Sequence, residues 1–287
     1  MKINDIESMN LNKMKQLSVS DNACTYKLAN GSILKIFNPS IIQLAKFVDI
    51  DFERKILDAK PIKSSPEILV PTSAVYCKNN FVGYTMPRAR GVDYNKVEDN
   101  LTFDQRVDLE RYARIHSKLE SVIKKNPDIV FPDFCTCDNI FIDKNENISF
   151  IDYDGLQVGK HKSISTSTSL GDPSSYYNDK HIDSLGYFTK ELDKRSLIIL
   201  YFLSAFNIDL NKVGSLFPNS NNKITLDLIF SVLNLDDPDF CHKVWKIFNN
   251  NEENEYLDDD VFRIAEKYGI NIVAQNGNQF VKRLYKK

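Results

Sequence analysis

The sequence predicts an α+β protein in two parts: a small antiparallel sheet interrupted by one helix, then a larger, mostly helical region. Short runs rich in β-branched and aromatic residues, separated by turn formers, fill roughly the first ninety positions. From about residue 100, apolar residues recur at helical spacing. A length of 287 residues lies just above the size at which one core usually divides, so one large domain and two unequal lobes are both open.

The predicted sheet begins with a hairpin. Asn30-Gly31 separates two apolar runs, and this pair tolerates the positive φ that a tight two-residue turn requires. The strand candidates are residues 25–29, 32–37, 67–77 and 81–87. Residues 41–59 instead place apolar side chains at helical spacing, so we expect one helix between the strands.

A capped helix opens the second part. Residues 102–105 read Thr-Phe-Asp-Gln and fit a capping box, and an apolar stripe then continues to Lys124-Lys125. Two short strands, 139–143 and 148–152, follow with a polar turn between them. The apolar run 197–203 predicts a buried helix and is too short for a membrane span of roughly 20 residues.

Composition excludes some classes of partner. Lys+Arg at 37 and Asp+Glu at 39 give a net charge of −2, and the isoelectric point of about 6.1 offers no global attraction to nucleic acid or anionic lipid. Five cysteines form an odd, sparse set, and the N-terminus has no apolar signal core. We therefore expect a reduced, cytoplasmic protein with neither a nucleic-acid nor a membrane partner.

One lysine lies inside an apolar strand. Lys35 belongs to the run 32–37, where strand alternation alone could place it on the solvated face. Glu53 follows 18 positions later in the predicted helix, where its carboxylate could meet the Lys35 ammonium. A lysine that is kept charged and positioned in this way is suited to coordinating the phosphates of a nucleotide.

Acidic and amide side chains cluster around the second hairpin. Asp133, Asp138 and Asn139 come before or at its first strand, and Asp152 and Asp154 follow its second strand. Aspartate and asparagine also form ordinary turns, which is the alternative interpretation. The apolar strands favour a buried hairpin, however, and carboxylates at a buried rim need a partner. Their hard oxygens are suited to Mg²⁺ that carries a polyphosphate.

In chain order, these parts resemble the protein kinase fold. The family's motifs are a strand lysine, a helix glutamate, an aspartate followed by an asparagine before a hairpin, and here Ile-Asp-x-x-Gly after it. The resemblance covers roughly residues 15–250 and looks more like divergent bacterial kinase-like proteins than eukaryotic kinases. It implies a two-lobed, protein-kinase-like fold, with a sheet-and-helix N-terminal lobe at 1–88 and a mostly helical C-terminal lobe at 89–287.

The resemblance implies ATP and Mg²⁺ as cofactors and assigns roles to particular residues. Lys35 would pair with the α- and β-phosphates and be held by Glu53, while Asp133 would accept the proton of the substrate hydroxyl. The implied metal ligands are Asn139 and Asp152. The other implied nucleotide-binding residues are Ser18, Ser20 and Ala23 in the phosphate loop, and Met86 and Arg88 in the inter-lobe hinge. The later helix would carry a buried acidic anchor, Asp193.

Three features depart from the family pattern. The glycine-rich phosphate loop is replaced by residues 18–23, which read Ser-Val-Ser-Asp-Asn-Ala. The motif H-R-D reads Phe131-Pro132-Asp133, and Asp133 precedes Asn139 by six positions where the family has five. The altered phosphate loop and the missing H-R favour a pseudokinase, a module that binds nucleotide or a partner without turnover. The matches to the family's motifs at Lys35, Glu53, Asn139 and Asp152 disfavour it.

The resemblance predicts a phosphotransferase that acts on Ser/Thr hydroxyls of another protein or of itself. Residues 160–180 form a long polar stretch, with hydroxyls at Ser163 and between 165 and 169 beside Lys160 and Lys162. A solvated loop explains this composition, and self-phosphorylation is the sharper alternative. A small-molecule kinase of the aminoglycoside or choline type shares the fold and is a further alternative.

Overall fold

A computed structural model describes residues 2–6, 9, 11, 14–62, 65–94, 109–132, 139–164, 182–206, 222–248, 257, 260–264 and 267. In this part of the chain the fold is α+β. An N-terminal sheet of five antiparallel strands, extended by one parallel edge strand, precedes several helices. The predicted class and the predicted antiparallel sheet are therefore confirmed.

The strands of the N-terminal sheet are β1 (Lys2–Asp5), β2 (Lys15–Val19), β3 (Ala23–Lys27), β4 (Ile33–Phe37), β5 (Ser73–Cys77) and β6 (Asn80–Met86). They lie in the order β1-β5-β6-β4-β3-β2. All neighbouring pairs are antiparallel except β1, which pairs with β5 in parallel. Strand β4 lies at the centre, and its lysine therefore projects from a strand that is paired on both sides.

The hairpin predicted at Asn30-Gly31 joins β3 to β4. Gly31 has a φ of 84°, which is the positive value that favours glycine. The ladder ends at Lys27 and Ile33, so the turn is longer than two residues. Ser32 belongs to this longer turn. Its backbone N–H donates to the Asn30 side chain at 3.0 Å, and its carbonyl accepts from the Leu28 backbone N–H at 2.9 Å.

The single helix predicted over 41–59 is wrong, because the structure has two helices there. These are α1 (Pro39–Phe47) and α2 (Phe52–Asp58). Asp49 adopts a φ of 58° and ends the first helix, and the Asp51 carboxylate caps the second by accepting from the Arg54 backbone N–H at 2.9 Å. The break resets the phase of α2 relative to α1, and this decides which of its side chains face the rest of the molecule.

The second hairpin is confirmed. Strands β9 (Ile140–Ile142) and β10 (Ile148–Phe150) pair antiparallel, and β7 (Val92–Asp93) extends them into a three-stranded sheet. The Asp143 carboxylate organises the turn by accepting from the backbone of Asn145 and Asn147. Ile140, Ile142, Ile148 and Phe150 are buried, as predicted for this hairpin, and Phe141 is half-buried.

Helices dominate the remainder of the described chain. The predicted capped helix is α3 (Leu109–Lys125), although its capping residues 102–105 lie outside the described residues. The apolar run falls in α4 (Glu191–Phe206), whose residues 192–202 are buried as expected. The other helices are α5 (Asn222–Leu233), α6 (Pro238–Phe248) and α7 (Asp260–Ile264). In the described residues, no helix has both the length and the apolar character needed to cross a membrane.

A continuous apolar core joins the sheet to the helical region. It includes Phe37 from the sheet, Phe150 from the second hairpin and Leu197 from α4. Beside it, β8 (Ile129–Val130) and β11 (Gln157–Val158) form a small antiparallel pair. The Gln157 side chain accepts from the Phe188 backbone N–H at 2.7 Å and donates to the Phe188 carbonyl at 2.8 Å. The lobe boundary at residue 88 stays a prediction.

Candidate active site

The Lys35 side chain on β4 contacts the segment that follows the second hairpin. Its register partner on β6 is Tyr84, and directly paired residues of neighbouring strands project to the same face of a sheet. The Lys35 ammonium forms ion pairs with both Asp152 and Asp154, and its distances to the two Asp154 oxygens are 2.9 and 3.0 Å. The site thus joins a cation from the sheet to two carboxylates from the hairpin.

The second hairpin brings Asn139 beside Asp152. The Ile151 backbone N–H donates to the Asn139 carbonyl at 3.0 Å, which ties the start of one strand to the end of the other. Asn139 and Asp152 also line the same small cavity, together with Phe131. The structure therefore places the two predicted metal ligands next to each other.

Local backbone geometry fits the Asp152 side chain closely. Asp152 has a φ of 65°, a left-handed conformation that aspartate tolerates better than most residues. A Cβ added at Gly155 would lie only 2.4 Å from the Asp152 Oδ2 atom. Glycine at position 155 therefore leaves the space that this carboxylate occupies.

The two carboxylates have different electrostatic environments. Burial raises the pKa of Asp152, and the neighbouring Asp154 raises it further. Burial also raises the pKa of Asp154, but Lys35 and a hydrogen bond from the Tyr84 hydroxyl outweigh burial and hold that pKa below its ordinary value. Burial lowers the pKa of Lys35, and the two carboxylates more than reverse the effect, so its pKa is raised. The lysine therefore carries its charge, and Asp154 is the more strongly ionised carboxylate.

The predicted ion pair between Lys35 and Glu53 is wrong. In the described structure, Glu53 instead accepts a hydrogen bond from the Tyr76 hydroxyl at 2.8 Å, on the side of α2 that faces β5. Burial and this carboxylate raise the pKa of Tyr76 to about 12. Glu53 therefore packs α2 onto the sheet and does not hold the lysine.

Helix α2 instead contributes Lys55, which the sequence analysis did not single out. This fully buried side chain donates hydrogen bonds to the backbone carbonyls of Asp154, Leu156 and Lys162, at 2.6 Å for Asp154 and 3.3 Å for Lys162. Burial lowers the pKa of Lys55 to about 8, and Asp154 and Asp152 oppose that shift. Lys55 thus joins α2 to the backbone of the segment that carries the carboxylates.

The turn in place of the phosphate loop is closed by its own hydrogen bonds. The Ser20 hydroxyl oxygen accepts from the backbone N–H groups of Asn22 and Ala23 at 3.3 and 3.2 Å. Ser18 lies in β2, where its hydroxyl is 2.6 Å from that of Thr25 on β3. Two backbone N–H groups of this turn therefore already have an acceptor within the turn.

The remaining predicted residues lie at the edges of the site. Met86 ends β6 and is buried, and Arg88 follows the strand and is exposed. Asp133 lies within 133–138, outside the described residues. The structure thus brings together Lys35, Asn139 and Asp152 from the predicted set.

A buried aspartate supports the chain just before Asp133. Asp193 is fully buried near the start of α4, as expected for the predicted acidic anchor. Its carboxylate accepts from the Phe131 backbone N–H at 2.7 Å and lies 2.7 Å from the Lys190 ammonium. Burial raises the pKa of Asp193, and both partners counteract the rise. The position of residues 131–132 is therefore fixed from the core of the helical region.

One of the predicted phosphorylation positions is buried. The Ser163 hydroxyl is fully enclosed and donates to the Gly155 carbonyl at 2.6 Å, so it holds the segment after Asp152 in place. The hydroxyls between 165 and 169 lie outside the described residues. Ser163 is thus a packing residue in this conformation.

The residues present fit Mg²⁺ as part of a nucleotide complex. Among the described residues, no group of three or more His, Cys, Asp and Glu side chains is arranged to hold a metal ion. Mg²⁺ usually takes one or two carboxylates and completes its shell with water and phosphate oxygens. The Asp152 carboxylate and the Asn139 amide oxygen meet that lower requirement.

Three functional side chains were missed or underused in the sequence analysis: Lys55, Asp154 and Tyr84. Lys55 follows Phe52 by three positions, so it shares the buried face of α2, and that spacing was its available signal. Tyr84 could have been found only from its strand pairing with Lys35.

No protein-family model matches the chain, and no curated protein matches it.

Proposed function

We propose that the protein is an ATP- and Mg²⁺-dependent phosphotransferase with a protein-kinase-like fold, acting on Ser/Thr hydroxyls of another protein or of itself. One observation carries the proposal. Lys35 from the centre of the N-terminal sheet meets Asp152 from the end of the second hairpin, with Asn139 beside it. A partly buried cation next to a hard-oxygen pair is an arrangement suited to a metal-bound polyphosphate.

The site's own residues suggest how such a complex forms. The Lys35 ammonium forms an ion pair with the Asp152 carboxylate. When nucleotide enters with Mg²⁺, the metal would supply a positive charge that Asp152 and Asn139 can hold, and it would neutralise charge on the phosphates. Lys35 would then direct its ammonium to phosphate oxygens. Asp133, two positions after the anchored Phe131, would orient the acceptor hydroxyl.

A second candidate function, a pseudokinase, has a specific observation in its favour. The N–H groups of Asn22 and Ala23 donate to Ser20, and the turn contains no glycine. Phosphate binding at this turn would have to compete with existing hydrogen bonds. Nucleotide could therefore bind through Lys35 and the metal ligands with little or no transfer.

Intact-mass spectrometry after incubation with ATP and Mg²⁺ tests the proposal. Wild-type protein should gain phosphate, and Asp152→Asn should reduce the rate by about 100-fold or more, since charge stabilisation at the transferred group is lost. Asp133→Asn should remove transfer and leave nucleotide binding intact. Calorimetric titration with Mg·ADP reports binding on the same samples.

Asp143→Asn is the matched control. It makes the same chemical change in the same hairpin, but Asp143 lies at the turn end and contacts Asn145 and Asn147. It should leave the rate within about twofold of wild type. If wild type binds Mg·ADP but gains no mass and phosphorylates no added protein, the protein-kinase proposal is wrong, and the pseudokinase and small-molecule kinase alternatives replace it. If it binds no Mg·ADP, the phosphotransferase and a nucleotide-binding pseudokinase are both wrong.

A further inference from the structure

Lys35 has two carboxylate partners, Asp152 and Asp154, and they differ in exposure and in how they contact the lysine. Asp152 is a candidate metal ligand, and its side chain is 26% exposed. Asp154 is more enclosed, with 8% of its side chain exposed, and both of its oxygens lie within 3.0 Å of the Lys35 ammonium. Once Asp152 turns to a metal, Asp154 is the carboxylate that still contacts the lysine.

Asp154 is itself held firmly in place. The buried Tyr84 hydroxyl donates to its carboxylate, and Tyr84 is the register partner of Lys35 on the neighbouring strand. Lys55 donates to the backbone carbonyl of Asp154 at 2.6 Å. One tyrosine therefore fixes the side chain, and one lysine from α2 fixes the main chain of the same residue.

We propose that Asp154, and not Glu53, is the residue that positions Lys35 for nucleotide phosphates, and that Tyr84 and Lys55 support Asp154 in this role. The proposal rests on the proposed nucleotide-binding function. Helix α2 then contributes indirectly, because the Lys55 ammonium donates a hydrogen bond to the backbone carbonyl of Asp154. The carboxylate that orients the lysine then comes from the same short segment as the metal ligand Asp152, so one segment sets both positions.

The test compares the affinity of Mg·ADP for matched variants by calorimetry. Asp154→Asn, which keeps the side chain's shape, should weaken binding about tenfold, because a hydrogen bond to a charged group is lost. Tyr84→Phe should weaken it about threefold through the loss of one hydroxyl. Glu53→Gln is the control for the competing assignment and should stay within about twofold. Asp154→Glu should recover part of the lost affinity.

The Lys35→Met background separates positioning from a general structural effect. If Asp154 acts through Lys35, adding Asp154→Asn to Lys35→Met should weaken Mg·ADP binding by less than twofold further. A full additional tenfold loss would overturn the proposal, as would a larger effect of Glu53→Gln than of Asp154→Asn.

Thermal unfolding of the same variants distinguishes a failure of the Asp154 assignment from a failure of the proposed nucleotide-binding function. The double variant of Lys35 and Asp154 should show a smaller loss in midpoint than the two single losses combined, whether or not nucleotide binds. If the losses in midpoint are non-additive for Lys35 with Glu53 but additive for Lys35 with Asp154, the inference itself is wrong. Coupling to Asp154 in a wild type that binds no Mg·ADP would overturn the proposed function, and with it the role in positioning Lys35 for phosphates.

Discussion

Replacing Lys55 by methionine should destabilise the protein substantially. The substitution keeps an unbranched chain of similar length and removes the ammonium that donates to three backbone carbonyls. At pH 7 this group is mainly protonated, because burial lowers its pKa only to about 8. The variant leaves the carbonyls of Asp154, Leu156 and Lys162 without their donor in a buried position.

The expected magnitude follows from those three bonds. At about 1 kcal/mol for each acceptor left unsatisfied, the free energy of unfolding should fall by about 3 kcal/mol. We take the low end of the range per group because removing a buried charge also removes its desolvation cost. For a chain of this size, the melting temperature should then decrease by about 6–12 °C. Circular dichroism during heating and urea titration give two independent measurements.

Lys118→Met is the matched control. The Lys118 ammonium also donates to one backbone carbonyl, that of Glu146 at 2.6 Å, but 44% of its side chain is exposed and water can replace it. We expect a change of about 0.5 kcal/mol or less. Equal destabilisation of both variants would refute the reasoning, as would an unchanged or higher melting temperature for Lys55→Met, since the buried charge would then cost more than its bonds contribute.

Three further outcomes follow from buried groups. Burial lowers the pKa of His116 to about 4, so the unfolded chain binds a proton at this histidine at higher pH than the folded chain does. The free energy of unfolding should therefore fall as pH decreases from about 6.5 to about 4. His116→Phe should make that fall less steep in urea titrations. Gly155→Ala should displace the Asp152 carboxylate and weaken Mg·ADP binding about tenfold, measured by calorimetry, with at most about 3 kcal/mol of lost stability from overpacking. Asp193→Ala should cost about 3 kcal/mol in thermal unfolding, because the Phe131 N–H and a buried ion pair lose their carboxylate.

Each of these outcomes has a control or a contrary result. A fall in stability that stays as steep in His116→Phe as in wild type would contradict the role of this buried histidine. Asp183→Ala removes an exposed turn carboxylate and should cost about 1 kcal/mol or less, so a similar cost at Asp193 would contradict the anchoring role. Unchanged Mg·ADP affinity in Gly155→Ala would mean that the Asp152 position is not set by this close approach.

The sequence predicted the elements whose pattern is set by burial. The second hairpin and α4 have apolar residues at the spacing of buried strands and a buried helix, and both were found. Lys35, Asn139 and Asp152 were singled out because polar side chains next to buried strands need partners, and the structure brings them together. Their roles in binding nucleotide and metal stay predictions. The buried position of Asp193 was expected from the kinase-like motif order and is confirmed.

The assignment on α2 failed because it depends on helical phase. Residues two positions apart on a helix lie about 200° apart around its axis, so Glu53 and Lys55 face nearly opposite sides. The break at Asp49 sets which of them meets the hairpin segment, and continuous apolar spacing over 41–59 concealed that break. The spacing of residues along the sequence does not show how α2 packs, so it could not predict whether Glu53 or Lys55 faces the hairpin segment.

The paired hydrogen bonds between Gln157 and Phe188 bear on how this protein can vary. They join residue 157 to residue 188, so two described parts of the chain are held together at these points. Lengthening a flexible chain between two fixed points adds little closure entropy, about 0.6 kcal/mol for each doubling. Residues inserted between positions 164 and 182, such as a recognition tag or a new acceptor sequence, should therefore leave the Gln157 contacts and the carboxylate pair in place.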